Sequence, residues 1–356
     1  MERHHSELLE SIMDVIKTKY SNDISLLFIY GSVVNGTANE NSDLDMIFVP
    51  KTERGWNLAT TFILKGSGND LWGVNWERLE SFANFDDMRV SILVNSRLVY
   101  YASEEDKERY EKLIKQIASI QNGPLTPKLI EKAHQHLINA KRHYAELFIS
   151  NNLSAAGDIV IEISNTLCLL NHTFLHFGEK QLLKELSLLN RLPKGFMEVI
   201  HEVVAAKEYE QIQKTCFDLI HCVDSFFKTI KNEIIPPVSM FHFKGLYEEL
   251  LSHWNKIRFS CEKGDAFSAF LAATNLQTEL NYVQEQTGIH NPELNFIDYY
   301  DPDNLSSFAL AANKAEETFV RILKESKIPI ASFENVEDFK NMLMRLGDAS
   351  SSSGSG

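Results

Sequence analysis

The chain carries only four cysteines in 356 residues, Cys168, Cys216, Cys222 and Cys261, and none stands in a CxxC spacing. That scarcity argues against a disulfide framework or a cysteine-bound zinc and reads as reduced thiols in apolar helices. Positive charge is also in short supply: 35 Lys and Arg against 49 Asp and Glu leave a net charge of −14. Counterion release from a phosphate backbone needs clustered basic residues, and no helical stretch offers a basic stripe, so no nucleic-acid partner is expected. An acidic surface instead favours cations, whether metal ions or a polyamine-like substrate. No run of 18 apolar residues occurs, and the first residues, MERHHSELLESIMDV, lack a charged-then-apolar leader. The expectation is therefore a cytoplasmic protein without a membrane partner. No internal repeat is visible.

What is present falls into two textures. Leu8, Leu9, Ile12, Val15 and Ile16 recur at helical spacing, and Ile24 to Tyr30 reads as a buried strand. A Gly/Asn-rich stretch, Gly31 to Asn41, leads to a second apolar strand from Asp45 to Val49, closed by Pro50. Short β-like runs follow at Asp70 to Val74, Val90 to Val94 and Leu98 to Tyr101, with a helical stretch over Trp76 to Phe82. Beyond the turn at Asn122, Gly123 and Pro124 the period changes to 3.6, beginning at Thr126 and Pro127, an N-cap followed by proline at the first helical position. Helices are expected at about 126–150, 154–177, 179–189, 193–205, 208–233, 243–262, 264–287 and 304–326. The fold class is α+β: a mixed β-sheet flanked by helices over 1–120, then all-α bundle segments over 125–235 and 238–345, with a seam at Pro236 and Pro237. The Ser/Gly tract over 348–356 has nothing to bury and reads as a disordered tail.

Between the first two strands lie Gly31-Ser32-Val33-Val34-Asn35-Gly36 and Ser42-Asp43-Leu44-Asp45. Side chains of a strand alternate, so Asp43 and Asp45 share one face while Leu44 points to the core. Two carboxylates this close repel and raise each other's pKa, and a divalent cation is the simplest arrangement that keeps both ionised. Oxygen-only ligands suit magnesium. Gly31, at a strand end, lets backbone amides approach a phosphate, and Ser32 brings a hydroxyl to the same turn. Either piece alone is a common loop; the combination after a strand is specific.

Gly31-Ser32, Gly36 and Ser42-Asp43-Leu44-Asp45 resemble the signature of the polymerase-β-like nucleotidyltransferase superfamily, in the style of its antibiotic-modifying branch. The resemblance implies a nucleotidyltransferase catalytic domain in which Gly31, Ser32 and Ser42 hold the triphosphate of ATP or another NTP. It further implies two magnesium ions on Asp43, Asp45 and a third carboxylate. Asp70, at the start of the next β-like run and followed by WERLESF, is the first choice for that third ligand, with Asp86 and Asp87 as rivals more typical of a solvated cap. Residues 159–177 are similar to the helical substrate-binding domain of kanamycin-type and lincosamide-type enzymes. That likeness makes Glu162 the expected general base, with Asp158 one turn earlier as fallback.

The expected activity is magnesium-dependent transfer of a nucleoside monophosphate, AMP first, from an NTP to a hydroxyl of a small molecule, releasing pyrophosphate. A cationic, aminoglycoside-like antibiotic is the acceptor class to test first, which would make the enzyme a resistance factor. Alternatives are a protein acceptor, as in toxin and antitoxin systems, and a nucleotide-binding protein without catalysis. Oligomeric state stays open, as does the role of 238–345. Weaker signals are His172 and His176 at a helical i,i+4 spacing, the histidines His134, His136 and His143, and Lys141, Arg142 and Tyr144, which reach a triphosphate only if their helix borders the cleft.

Overall fold

The computed structural model describes residues 3–38 and 42–351. The chain divides into two compact units, Met1–Ile235 and Pro236–Gly356. In the first, α1 (Arg3–Lys19), β1 (Ile24–Tyr30), the single turn α2 (Ser32–Asn35) and β2 (Asp45–Pro50) lead to the hairpin β3 (Thr60–Leu64) and β4 (Ser67–Gly73). Next come α3 (Trp76–Ala83), the turn α4 (Ser91–Val94), β5 (Arg97–Tyr101) and α5 (Glu104–Asn122). Five more helices complete the unit: α6 (Pro127–Ser150), α7 (Ser154–Leu170), α8 (Leu182–Ser187), α9 (Phe196–Ala205) and α10 (Tyr209–Ile234).

The sheet runs β3-β4-β2-β1-β5. In it β2 pairs parallel to β4, with Asp45 opposite Asp70; β1 pairs antiparallel to β2 with Tyr30 opposite Asp45. One face, with Leu27, Ile29, Met46, Phe48 and Leu71, is covered by Leu9 and Ile16 of α1. The other, with Leu26, Phe28, Ile47 and Val49, shares a continuous core with the helices through Ile230, so sheet and helical segment form one body. Each fully buried aliphatic side chain of this kind stabilises by about 1.5–3 kcal/mol. The α+β class holds, with the mixed sheet first and helices after it.

The second unit is helical: α11 (Leu246–Lys263), α12 (Ala266–Thr287), α13 (Leu305–Glu325) and α14 (Val336–Ser351). Trp254, Phe296, Phe308 and Phe319 centre its core. Buried Gln277 and Gln284 satisfy the backbone of the α12–α13 connection: Gln277 donates to the Leu294 carbonyl at 2.9 Å, and the Gln284 Oε1 accepts from the Asn291 amide at 2.9 Å. Among the described residues no helix is long and apolar enough to cross a membrane.

Four local expectations change. Val90 to Val94 is not a strand; Ser91–Val94 forms a helical turn with Ile92 and Leu93 buried. The helix expected over 154–177 stops at Leu170, because Asn171 turns back on it, donating from Nδ2 to the Leu167 carbonyl at 2.8 Å, and His172 takes a positive φ of 44°. His172 and His176 therefore do not share a helix face. The strand β3 and the helix α14 were not foreseen, and α14 carries backbone through Ser351 into the Ser/Gly tract. Residues 352–356 of that tract, like Asn39 to Asn41 of the Gly/Asn-rich stretch, lie outside the described residues.

Candidate functional site

Strand alternation sets the site. Ile47 and Val49 face the α3–α5 side of the sheet, so Asp45, two residues earlier, faces it too; Trp72, packed into the same core, assigns Asp70 to that side. With Asp45 opposite Asp70 across the parallel pairing, two carboxylates stand side by side on adjacent strands. Asp43 is exposed just before β2, while Leu44 between them is fully buried in the opposite core. The alternation expected from the SDLD spelling is thus present at Leu44 and Asp45.

Two buried polar side chains hold this approach to β2 in place. Asn69, 6% exposed, accepts the Leu44 amide at 3.1 Å and donates to the Ser67 carbonyl at 2.9 Å. His5, from α1, lies 3.0 Å by Nε2 from the Ser42 carbonyl. Neither was singled out in the sequence, since a lone Asn before an Asp and a His near the start carry no spacing signal.

Gly31 has φ 75° and ψ −154°, a backbone region open essentially only to glycine, and a Cβ there would collide with Oδ2 of Asp45. The glycine is required by the carboxylate it touches, which brings the turn and the acid together. Asp45 is pushed up to about 6 by burial first, then by Asp43; Lys180 acts the other way and Asp70 adds to the rise. The Tyr30 phenol is likewise raised, by burial and then by Asp45, Asp70 and Asp43. All three expected acids therefore act on one locus, an electrostatic convergence that no one of their positions shows alone.

Gly31, Ser32 and Asp45 open into a cavity of about 430 Å3, whose far wall is His176, Gly178 and Lys180 from the α7–α8 connection. That connection is pinned. Asn95 donates to the His176 carbonyl at 2.7 Å, and Glu185 accepts from the His176 and Phe177 amides at 2.5 and 2.9 Å. Phe174 packs edge-on against Phe85 with centroids 5.9 Å apart. The helical segment thus supplies a lysine facing the aspartates, a residue the sequence hid inside an apparent helix-to-helix stretch.

The remaining candidates are placed elsewhere. Asp87 is held by Arg78 at 2.6 Å and Arg89 at 2.7 Å, and Asp86 by Lys132, so the rival third ligands are occupied by cations. Among the described residues no ion pair engages Asp43, Asp45 or Asp70. Glu162 lies 2.5 Å from Nδ1 of His136, both about four-fifths buried, and lines neither this cavity nor a second, neighbouring one that shares Lys180 and Gln181 with it. Asp158 does line the neighbouring cavity. Lys141 pairs with Asp224 at 2.6 Å, Arg142 reaches Glu146 at 4.0 Å, and Tyr144 packs between Phe148 and Phe217. His134 stacks on Phe227, and His143 approaches Glu146 at 3.0 Å and Asp158 at 3.9 Å. Ser42 stays beside the aspartates but outside the cavity lining.

Among the described residues no three His, Cys, Asp or Glu side chains close into a metal cage. Magnesium does not need one: it is usually held by one or two carboxylates plus water and substrate phosphates. Asp43, Asp45 and Asp70 offer oxygen ligands only, Asp45 stays above its ordinary value despite Lys180, and the cavity opens beside Asp45, so the donor set fits that ion.

Residues 9–143 match the family profile described as a nucleotidyltransferase domain. Among solved structures the chain is similar to a nucleotidyltransferase-like protein from Exiguobacterium sibiricum 255-15, at 10% identity and a TM-score of 0.37, over 67% of this chain and 84% of that one. No curated protein matches. The match over 9–143 spans the five described strands of the sheet, most of α1, all of α2 to α5, and most of α6.

Proposed function

We propose, taking the nucleotidyltransferase domain over residues 9–143 as the premise, that this chain transfers a nucleoside monophosphate from an NTP, with ATP the first choice, to a hydroxyl group. The observation that carries the reading is the Asp45 carboxylate pressed against Gly31, opposite Asp70, in a cavity walled by Ser32 and Lys180. A glycine turn that admits phosphate oxygens beside clustered acids answers no structural need, because the cluster raises the energy of the fold without a cation.

Asp43, Asp45 and Asp70 would hold divalent magnesium, two ions in the full reading. Such ions supply charge neutralisation of the triphosphate and a lowered pKa for the attacking hydroxyl. The Gly31–Ser32 turn binds phosphate oxygens through backbone N–H and hydroxyl groups, and Lys180 places a positive charge across the cavity. Positioning of this kind provides most of the acceleration in phosphoryl and nucleotidyl chemistry. For the base that accepts the hydroxyl proton, Asp158 is the better placed of the two helical acids, since Glu162 is committed to His136.

The test is titration of ATP by calorimetry with and without magnesium, followed by pyrophosphate release in the presence of acceptor. Metal-coupled binding is expected, with Asp45→Asn lowering turnover about 10²–10³-fold while the circular dichroism spectrum is kept. Tight binding that ignores magnesium, or full turnover by Asp45→Asn, would sink the proposal and favour a nucleotide-binding protein without catalysis.

A further inference from the structure

The cavity that holds Gly31 and Asp45 has a larger neighbour. About 860 Å3 in volume, it lies between α7, the α7–α8 connection, α8 and α9, and it shares Lys180 and Gln181 with the first. Its size is in the range of small-molecule sites, about 300–1,000 Å3. The walls are aliphatic: Val160 and Ile161 from α7, Leu182 and Leu183 from α8, Ile200 and Val204 from α9. The charges around it cancel, Asp158 and Glu179 against Lys180 and Lys184. With Lys180 turned to the triphosphate, Asp158 and Glu179 against Lys184 leave one net negative charge, too little to offset the lost hydration of a polycation.

We infer that this second cavity is the acceptor site, and that its ligand is an uncharged alcohol with an extended aliphatic body, its hydroxyl lying at the Lys180–Gln181 edge. The inference rests on the nucleotidyl-transfer reading and narrows its acceptor away from cationic aminoglycosides. Shared wall residues put the hydroxyl end of such a molecule next to the triphosphate. In the step, the acceptor oxygen bonds to the α-phosphorus, the bond from that phosphorus to the bridging oxygen breaks with its electron pair leaving on pyrophosphate, and the hydroxyl proton passes to the Asp158 carboxylate on the cavity wall. The aliphatic body stays in the wall of α7 to α9, where each buried methylene tightens binding about three- to fourfold.

Gly157 gives a clean probe. It sits in α7 on the cavity lining, its backbone is helical, and a Cβ there would meet nothing within 4 Å. Gly157→Leu therefore starts a side chain from open space on the cavity lining, narrowing the cavity, and improves helix propensity. The experiment uses the full chain with hexan-1-ol, octan-1-ol and decan-1-ol as probes. Binding of each is followed by saturation-transfer NMR, transfer from α-labelled ATP by product analysis, and MgATP affinity by calorimetry. Affinity and AMP transfer should both rise with chain length, and Gly157→Leu should cost decanol at least tenfold in affinity while MgATP affinity is unchanged. Alcohol binding that is absent, or equal in length dependence in wild type and Gly157→Leu, would overturn the inference; so would kanamycin outcompeting decanol as AMP acceptor. Failure of MgATP binding with decanol binding intact would instead remove the transferase reading and leave the cavity's ligand class standing.

Discussion

At the scale of single residues, Gly31 and Gly36 make a controlled pair. Both have positive φ, 75° and 73°, but only at Gly31 does an added Cβ meet anything, the Asp45 carboxylate; at Gly36 it points into open space. Gly36→Ala should cost about 1 kcal/mol from backbone strain alone and leave MgATP affinity within about twofold. Gly31→Ala adds a steric collision to a less accessible backbone conformation, so about 2–3 kcal/mol and loss of measurable MgATP binding are expected. Thermal melting and calorimetric titration of the two variants side by side check this; equal effects on binding would refute the close approach. Asp45 makes a second prediction, with a definite sign. Its folded pKa is raised to about 6 from 3.8, by burial first and then by Asp43, so the folded state holds that proton more tightly than the unfolded chain. The associated stability is full below the ordinary value and is lost as pH rises through about 6. Allowing for partial exposure, the loss is on the order of 1–2 kcal/mol. Metal-free protein should therefore lose stability between pH 4 and pH 7 by more than Asp45→Asn does, and millimolar magnesium should recover the difference at pH 7.5. A wild-type profile parallel to that of Asp45→Asn across this window would show that burial and Asp43 do not hold the Asp45 carboxyl above its ordinary value.

At the scale of elements, the α7–α8 connection decides where Lys180 stands. Glu185 accepts two backbone N–H groups from it, at His176 and Phe177, one part-buried and one exposed, and a hydrogen bond of this kind contributes about 0.5–1.5 kcal/mol. Glu185→Ala should loosen the connection and weaken MgATP binding about three- to tenfold, in the same direction as Lys180→Ala, although Glu185 lies outside the Gly31–Asp45 cavity lining. Unchanged affinity in Glu185→Ala beside a weakened Lys180→Ala would mean that the connection keeps its position without that anchor. This same connection marks the limit of what the sequence reveals. The strands Ile24–Tyr30 and Asp45–Pro50 are legible because each is a long apolar run bounded by turn residues, and the Gly-Ser and Asp-x-Asp spellings between them point to their site through strand alternation. The run Val90 to Val94 misleads because its four apolar residues are too few for period 2 and period 3.6 to differ. The edge strand Thr60–Leu64 hides for the opposite reason: exposed on most of its length, with Ile63 at 80%, it shows no buried periodicity. Lys180 could not be read at all, since its place depends on Asn171 ending α7 and on Asn95, some 81 residues from His176, catching the chain beyond it.

At the scale of the whole molecule, each unit has a core of its own. The apolar clusters of the first unit end at Ile235, and that of the second, with its partly buried neighbours, begins at Val238, on either side of Pro236 and Pro237. The proposed nucleotide and acceptor cavities both belong to the first unit. Ligand binding stabilises only the cooperative unit that holds the site, by about 2.7 kcal/mol at a hundredfold excess over Kd. Scanning calorimetry should therefore resolve two transitions, one of which moves up with MgATP while the other stays fixed. The tryptophans separate the assignments: Trp56, Trp72 and Trp76 report the first unit, and Trp254, buried in the second core, reports the other. In a Trp254→Phe variant the remaining fluorescence should follow only the transition that MgATP shifts. A single transition moving as a whole would mean that the two cores unfold cooperatively, and that residues 236–351 contribute to the stability of the first unit.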